Sequence, residues 1–508
     1  MWYHREFEIN DNSKNIILHF GAVDYQCAVY VNGKEALTHI GGNVSFQGDI
    51  TKYCTPGKSN HLTLRVFDDL EDMDMPRGKQ YWKEVPESIY YTRTSGIWQT
   101  VWIEQVNKYH LSSIKMIPNI DESKVDFTYY LSDYQNGLKL KTKIIFKQET
   151  IFEEEVNIDD LIMKKEISLS SKFNNIKEVL WSPKSPNLFD VELSVIKGKQ
   201  ILDSISTYFG MRKISVDDGV LKLNNENYYM RLILDQGYYP DSLLTSPNDE
   251  YLIKDILMTK EMGFNGVRKH QKIEEEQYLY YADKYGLIVW EELPSAYAFN
   301  SRSRKNLSLE WTEAINRDIN HPCIVAWVPM NESWGVDNLE NSKDQSDFLN
   351  EMYYLTKKLD SSRLVISNDG WEHSITDLFT IHDYESDCKK IKNRYSKLEN
   401  VLSSKPGYKS LFNPGYSYQN QPVLVTEFGG ISFQQNGSNG WGYSHAKDSK
   451  DFEERLRNVV QPIVDSPLIQ GFCYTQLTDV EQEINGLLTY DRKPKISIEY
   501  IKKIISRT

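Results

Sequence analysis

Along the chain the spacing of apolar residues changes rhythm. From residue 2 to about 106, short apolar or alternating runs (16–20, 27–31, 62–66, 96–104) are separated by turn residues. One run ends at Asn32-Gly33, a pair suited to the two positive-φ positions of a tight hairpin. Short strands with such turns predict a β-sandwich. Residues 77–91 are richer in polar and aromatic residues, which predicts a long loop. Residues 107–214 repeat the strand pattern: 139–146 and 189–195 keep the period of two expected of half-exposed strands. No helical period interrupts them, and the region reads as an immunoglobulin-like sandwich.

From residue 215 apolar strands alternate with helical periods. Strands are expected at 228–234, 264–270, 286–290, 323–330, 363–367, 377–381, 422–426 and 471–476. Helices are expected after Asn248, at 274–285, ending near Asn320, and at 496–505. The run Glu274-Glu275-Glu276 reads as a solvated helix start, where carboxylates suit the dipole. Eight strands with mostly helical connections over residues 215–508 predict a (β/α)8 TIM barrel, with a weak helix between strands five and six.

Composition bounds this picture without redirecting it. The 508 residues suit about three domains, and 40% hydrophobic with 26% charged residues is globular. A net charge of -13 argues against nucleic acid and anionic membrane surfaces as partners. No apolar run reaches the ~18 residues of a membrane span. Cys27, Cys54, Cys323, Cys388 and Cys473 lack ligand spacing and read as small buried apolar residues. The opening Met-Trp-Tyr-His-Arg-Glu-Phe-Glu-Ile shows no signal peptide, so cytoplasm is the default address. It resembles the middle of a β-domain, and the chain is expected to begin inside that domain. A homo-oligomer is compatible with all of this.

Two of the predicted barrel strands carry chemistry. Residues 325–330 lead into Asn331-Glu332, and 422–426 into Glu427. Residues leaving parallel strands at their C-terminal ends meet on one rim. One glutamate there is more often a cap or a surface ion pair. Two on one rim are what glycosidic cleavage with retention requires, at ~5 Å separation. Trp334 and Pro329 offer Glu332 an apolar wall, which suits the acid. Arg268 offers Glu427 a cation, which suits the nucleophile. Asn331 is placed to donate its amide to a sugar 2-hydroxyl. His270 and His382, at strand ends, are read as hydroxyl contacts rather than metal ligands, since no second ligand stands at metal spacing. Asp235 is the candidate hydroxyl clamp of strand one. Trp371 and Trp441 either stack on sugar faces or pack beneath loops. One of Glu291 and Glu292 is expected to support the site from behind.

Trp327-Val328-Pro329-Met330-Asn331-Glu332-Ser333 and Thr426-Glu427-Phe428-Gly429-Gly430 resemble the acid/base and nucleophile signatures of glycoside hydrolase family 2. Tyr30-Val31-Asn32-Gly33 and Tyr91-Thr92-Arg93-Thr94-Ser95-Gly96-Ile97-Trp98 resemble its N-terminal sugar-binding jelly roll, and Gly263-Phe264-Asn265-Gly266-Val267-Arg268 its second barrel strand. The resemblance implies a jelly roll over 1–106 that lacks its first strands, an immunoglobulin-like domain over 107–214 and a catalytic barrel over 215–508. It implies Glu332 as acid/base and Glu427 as nucleophile, with Tyr384 contacting the nucleophile and Tyr474 at the place of the family's sugar platform. Some relatives hold a divalent cation, but no residue here specifies one, and no cofactor is required. The sequence departs from familiar members at residues 234–240 and 269–271 and shows no Asn-x-Lys element of the glucuronidase kind. The expected function is a retaining exo-β-glycosidase acting on an oligosaccharide or β-glycoside, most like a β-galactosidase. The alternatives are a β-glucuronidase or β-mannosidase, or a carbohydrate-binding protein without turnover.

Overall fold

The computed structural model describes residues 1–10, 13–173, 175–434 and 440–506, in two compact units. Unit 1 comprises Met1–Asp69, Ser95–Lys213 and Arg317–Pro322. Unit 2 comprises Leu70–Thr94, Ile214–Asn316 and Cys323–Thr508.

Unit 1 holds two antiparallel sandwiches. In the first, a four-stranded sheet runs in the order Trp2–Glu8, Ser59–Phe67, Gln26–Val31, Lys34–Ile40. A three-stranded sheet runs Phe46–Asp49, Asn15–Phe20, Val101–Val106. The hairpin turn falls where the Asn-Gly pair predicts it, with φ of 50° at Asn32 and 77° at Gly33. Alternate residues Cys27, Val29 and Val31 face the core with Ile16, Leu18, Leu64 and Val66. The second sandwich pairs Leu111–Asn119, Lys124–Leu131 and Ile162–Ser168 in one sheet. The other runs Glu149–Asn157, Leu138–Phe146, Phe189–Lys197, Gln200–Phe209. Their shared core includes Phe127, Leu140, Val191 and Leu193.

Unit 2 is built on eight parallel strands: β1 Met230–Asp235, β2 Gly266–Lys269, β3 Ile288–Glu292, β4 Ile324–Val328, β5 Leu364–Val365, β6 Phe379–His382, β7 Val423–Glu427 and β8 Ile469–Tyr474. Their hydrogen-bonded order is β5-β4-β3-β2-β1-β8-β7-β6. Every residue of β3, β4 and β7 is buried, as expected of strands covered on both faces. Full burial of each large apolar side chain there contributes roughly 1.5–3 kcal/mol. Helices cover the strands: α1 Asp249–Glu261, α2 Glu276–Tyr285, α3 Ser301–Asp318, α4 Lys343–Leu359, α5 Cys388–Arg394, α6 Leu398–Leu402, α7 Ser449–Val464 and α8 Ile498–Ile505. Asn248 caps α1 by accepting from the Glu250 amide, and Gly286 ends α2 in the left-handed region at φ 73°. No helix of the described residues is long and apolar enough to cross a membrane.

Three readings change. The weak helix expected between β5 and β6 is absent. There the chain is irregular and tied by Asp377, whose amide donates to the Val365 carbonyl and whose carboxylate accepts from the Val365 amide. Glu274 is not a solvated helix start: it is fully buried, with Lys269 at 2.6 Å and Lys272 at 2.9 Å. Burial opposes its charge, but these two cations hold its carboxyl down to about 2. Of the cysteines, Cys27, Cys323 and Cys473 are buried, whereas Cys54 and Cys388 are partly exposed.

Two groupings have no counterpart in the domain reading, the shorter being Arg317–Pro322, which lies within the barrel in sequence and belongs to unit 1. Residues 70–94, which lie within the sandwich in sequence, pack with the barrel. Arg77 and Gly78 donate from their amides to the Ser295 carbonyl beyond β3. Arg302 at the start of α3 pairs with Asp72 and Asp74.

Candidate active site

The C-terminal ends of β2, β3, β4, β6 and β7 deliver charged groups into one buried cluster. Arg268, at the end of β2, is its hub. Its guanidinium meets Glu292 at 2.6 Å, Asp369 at 2.7 Å and Glu427 at 2.9 Å, and donates to Asn331 Oδ1 at 2.6 Å. A fully buried guanidinium would be costly alone. Burial pulls its pKa down, but these three carboxylates outweigh that and hold it well above the usual value.

Glu427 leaves β7 with both oxygens engaged. Oε1 faces Arg268, and Oε2 accepts from the Tyr384 hydroxyl at 2.7 Å. Burial raises its pKa, but His382, Arg268 and His270 lower it further, and the net shift is downward. Glu332 follows β4 in a turn with φ of 50°, and Ser333 continues it at 60°. The turn is fixed where the Glu332 amide donates to the Asp369 carbonyl at 3.0 Å. Left-handed non-glycine residues cost of order 1–3 kcal/mol, and such strain collects at functional sites. Burial first, then the charge of Glu427, raises the Glu332 pKa, with His382 opposing.

His382, from β6, stands between the two. Its Nδ1 lies 2.7 Å from Glu332 Oε1 and 3.5 Å from Glu427 Oε2, and Nε2 lies 3.3 Å from Asp369. Burial would lower its pKa, but Glu427 and Asp369 raise it to about 10, so it is an imidazolium at neutral pH. Donor atoms of Glu332, His382 and Glu427 all lie within 4.8 Å of one another. That spacing also suits a metal, whose binding would have to displace the proton of His382. The other group of the described residues at ligand spacing is the exposed set His4, Glu6 and His61 in unit 1.

The remaining expected residues fall in several places. Asn331 is buried, and its Nδ2 has no partner among the described residues. His270 sits 3.0 Å from Glu292 and 3.9 Å from Glu427. Its burial, together with Lys79 and Arg268, holds its pKa well below the usual imidazole range. Tyr384 also donates to Thr475 Oγ1 at 3.2 Å. Asp235 is engaged by Lys269 at 2.6 Å and by the Gly237 amide. Tyr474 is buried against Phe428 and Gly429, with the Ile431 backbone beside its hydroxyl. Trp371 meets the His382 ring edge-on at 5.6 Å. It lines a cavity of about 600 Å³ with Glu332, His382, Tyr384, Lys405 and Tyr443. Of the two glutamates closing β3, Glu292 is the one that braces Arg268.

Several members were not singled out from the sequence. Asp369 follows β5 as Glu332 follows β4, the same signal on a strand too short to stand out. Tyr443 stacks on Tyr384 with centroids 3.3 Å apart. Lys79 and Tyr90 from the 70–94 segment reach Trp334, at 5.1 Å and 6.2 Å from its ring. No local pattern marks these three.

Residues 216–508 match the family model for the TIM barrel domain of the glycosyl hydrolases family 2. Residues 109–212 match that family's model, and residues 1–103 its sugar binding domain. A β-galactosidase of Thermoanaerobacter pseudethanolicus is 29% identical over 443 residues, covering 84% of this chain and 56% of that one. A putative β-glucuronidase of Formosa agariphila is 28% identical over 393 residues, covering 75% and 46%. The chain thus spans about half the length of these relatives. A Bacteroides uniformis β-glucuronidase structure superposes with a TM-score of 0.80 at 20% identity, over 99% of this chain and 63% of that one, a likeness of fold.

Proposed function

The chain belongs to glycosyl hydrolase family 2, and from that premise we propose a retaining exo-β-glycosidase that removes terminal β-linked sugars by double displacement. The observation that carries the reading is the pair Glu332 and Glu427, within 4.8 Å and with pKa values pushed in opposite directions. A separation near 5 Å leaves no room for a water between the carboxyls, which favours direct attack. Glu427 stays ionised and attacks the anomeric carbon. The bond to the leaving oxygen breaks as Glu332 gives that oxygen its proton. Glu332, now a carboxylate, takes a proton from water, which attacks the anomeric carbon and releases Glu427. His382 and Arg268 hold Glu427 charged before attack, and the unpartnered Asn331 amide is free to donate to the 2-hydroxyl.

These steps call for no cofactor. The glycone is read as β-galactoside-like, supported by the 29% identity to a β-galactosidase. The putative glucuronidase at 28% supports the second reading. The test is a panel of aryl β-galactoside, glucoside, mannoside, arabinoside and glucuronide substrates, with the first-formed sugar followed by proton NMR. The β-anomer is expected first. Initial release of the α-anomer would overturn the double displacement.

A further inference from the structure

Lys79 stands apart from every other buried cation near the site. Arg268, Lys269 and Lys272 each pair with carboxylates at 2.9 Å or closer. Lys79 is only 5% exposed, yet among the described residues its ammonium makes no hydrogen bond and no ion pair. Its Nζ lies over the face of Trp334, 5.1 Å from the ring centroid. An ammonium on so buried a side chain without a protein acceptor is costly to hold, and the attraction to an indole face offsets only part of that cost. The arrangement is built to receive an oxygen that the chain does not supply.

Glu483, 2% exposed, lies on the segment after β8. Its Oε1 accepts from the Asn485 amide at 3.0 Å, and its Oε2 accepts from the Tyr91 hydroxyl. Tyr91 is tied back to Lys79, its amide donating to the Lys79 carbonyl at 2.9 Å. The Trp334 ring beneath Lys79 lies 6.2 Å from the His270 ring, and His270 lies 3.9 Å from Glu427. Glu483 is bridged to Trp441, whose ring is 4.8 Å from Tyr443; Tyr443 stacks on Tyr384, which donates to Glu427. Both sets of contacts end on Glu427, the group that attacks the sugar, which places Lys79 and Glu483 on the side of the sugar under attack.

We propose that Lys79 and Glu483 are the specificity-determining pair of the glycone, gripping hydroxyl groups of a neutral sugar and rejecting a uronic acid. This rests on the glycosidase reading above. A hydroxyl both accepts and donates, so one ammonium and one carboxylate satisfy neighbouring hydroxyls with no net charge added. A uronate would bring a further carboxylate against Glu483 and Glu427, with Lys79 as the buried cation near the site that has no carboxylate partner among the described residues.

The test uses the full chain and the aryl substrate panel, taking the neutral glycoside that turns over fastest beside the glucuronide. Wild type is expected to prefer the neutral glycoside. Lys79→Met should lower kcat/KM for it roughly 10- to 150-fold, the worth of a hydrogen bond to a charged group, with Lys79→Arg recovering part. Glu483→Gln should raise the glucuronide-to-neutral ratio at least about tenfold. A purely structural role would lower both substrates alike and leave the ratio unmoved. Thermal melts identify variants that fail to fold, and the Arg and Gln replacements keep size and polarity. Preference of wild type for the glucuronide, or an unmoved ratio in folded variants, overturns the proposal. Calorimetric titration of the neutral monosaccharide and of glucuronate reads the pair without turnover. Selective binding of the neutral sugar by a protein that hydrolyses nothing would sink the glycosidase reading and spare this one.

Discussion

Glu427 receives a hydrogen bond from Tyr384 and faces Arg268 and His382, whereas Glu332 meets one imidazolium and a neighbouring carboxylate. The pKa values of identical side chains are thereby pushed in opposite directions, the division that the proposed acid and nucleophile roles require. Glu427→Gln should lower turnover by more than ~10⁴-fold on every leaving group, since the residue acts as part of a unit. Glu332→Gln should cost about 10²–10⁴-fold on alkyl glycosides and less on activated aryl glycosides, whose departure needs little proton transfer. Equal losses on both leaving groups would remove Glu332 from the acid role. His382 gives a stability signature as well. Its pKa is raised to about 10 from the usual 6.5. Its contribution is therefore complete below about pH 6.5 and is lost as pH rises toward 10. Melting temperature should fall across that window in wild type and fall less in His382→Gln, as measured by calorimetry.

The barrel strands were legible because burial on both faces leaves nearly continuous apolar runs, and β4 and β7 end where those runs meet Glu332 and Glu427. The Asn32-Gly33 hairpin was legible because its backbone demand is local. Glu274 was misread for the opposite reason. Its partners Lys269 and Lys272 are close in sequence, but the turn that folds them onto it obeys no helical or strand period. Asp369 escaped notice as an active-site member because β5 is only 2 residues long, and His382, read as a hydroxyl contact, instead stands between the two glutamates. The end of β7 makes its own prediction. Gly429 has φ of 89°, and a Cβ there would lie 2.3 Å from the buried Tyr474 ring. Gly429→Ala should destabilise the protein by about 1–3 kcal/mol in denaturant titrations. A change within a few tenths of a kcal/mol would show that β7 and β8 do not set this corner.

At the scale of the molecule, residues 70–94 are the longer part that sequence order places in one body and packing places in the other. They leave the sandwich after Phe67, paired with Gln26, and return at Gly96, paired with Asp24. The two ends therefore pair with residues two apart in the chain, and a short linker can join them. Replacing 70–94 by such a linker should keep the β-sheet circular dichroism and remove turnover, because Lys79, Tyr90 and Tyr91 leave with it. Full activity without the segment would show that it has no part in the site.

The central claim is that Glu427 forms a covalent bond to the sugar. Incubation with a 2-deoxy-2-fluoro-β-glycosyl fluoride of the preferred sugar, followed by proteolysis and mass mapping, reads that bond directly. The account predicts a single 2-fluoroglycosyl adduct on Glu427, absent from Glu427→Gln. An adduct on Glu332 or on any other residue, or turnover of the active enzyme with none formed, would contradict it.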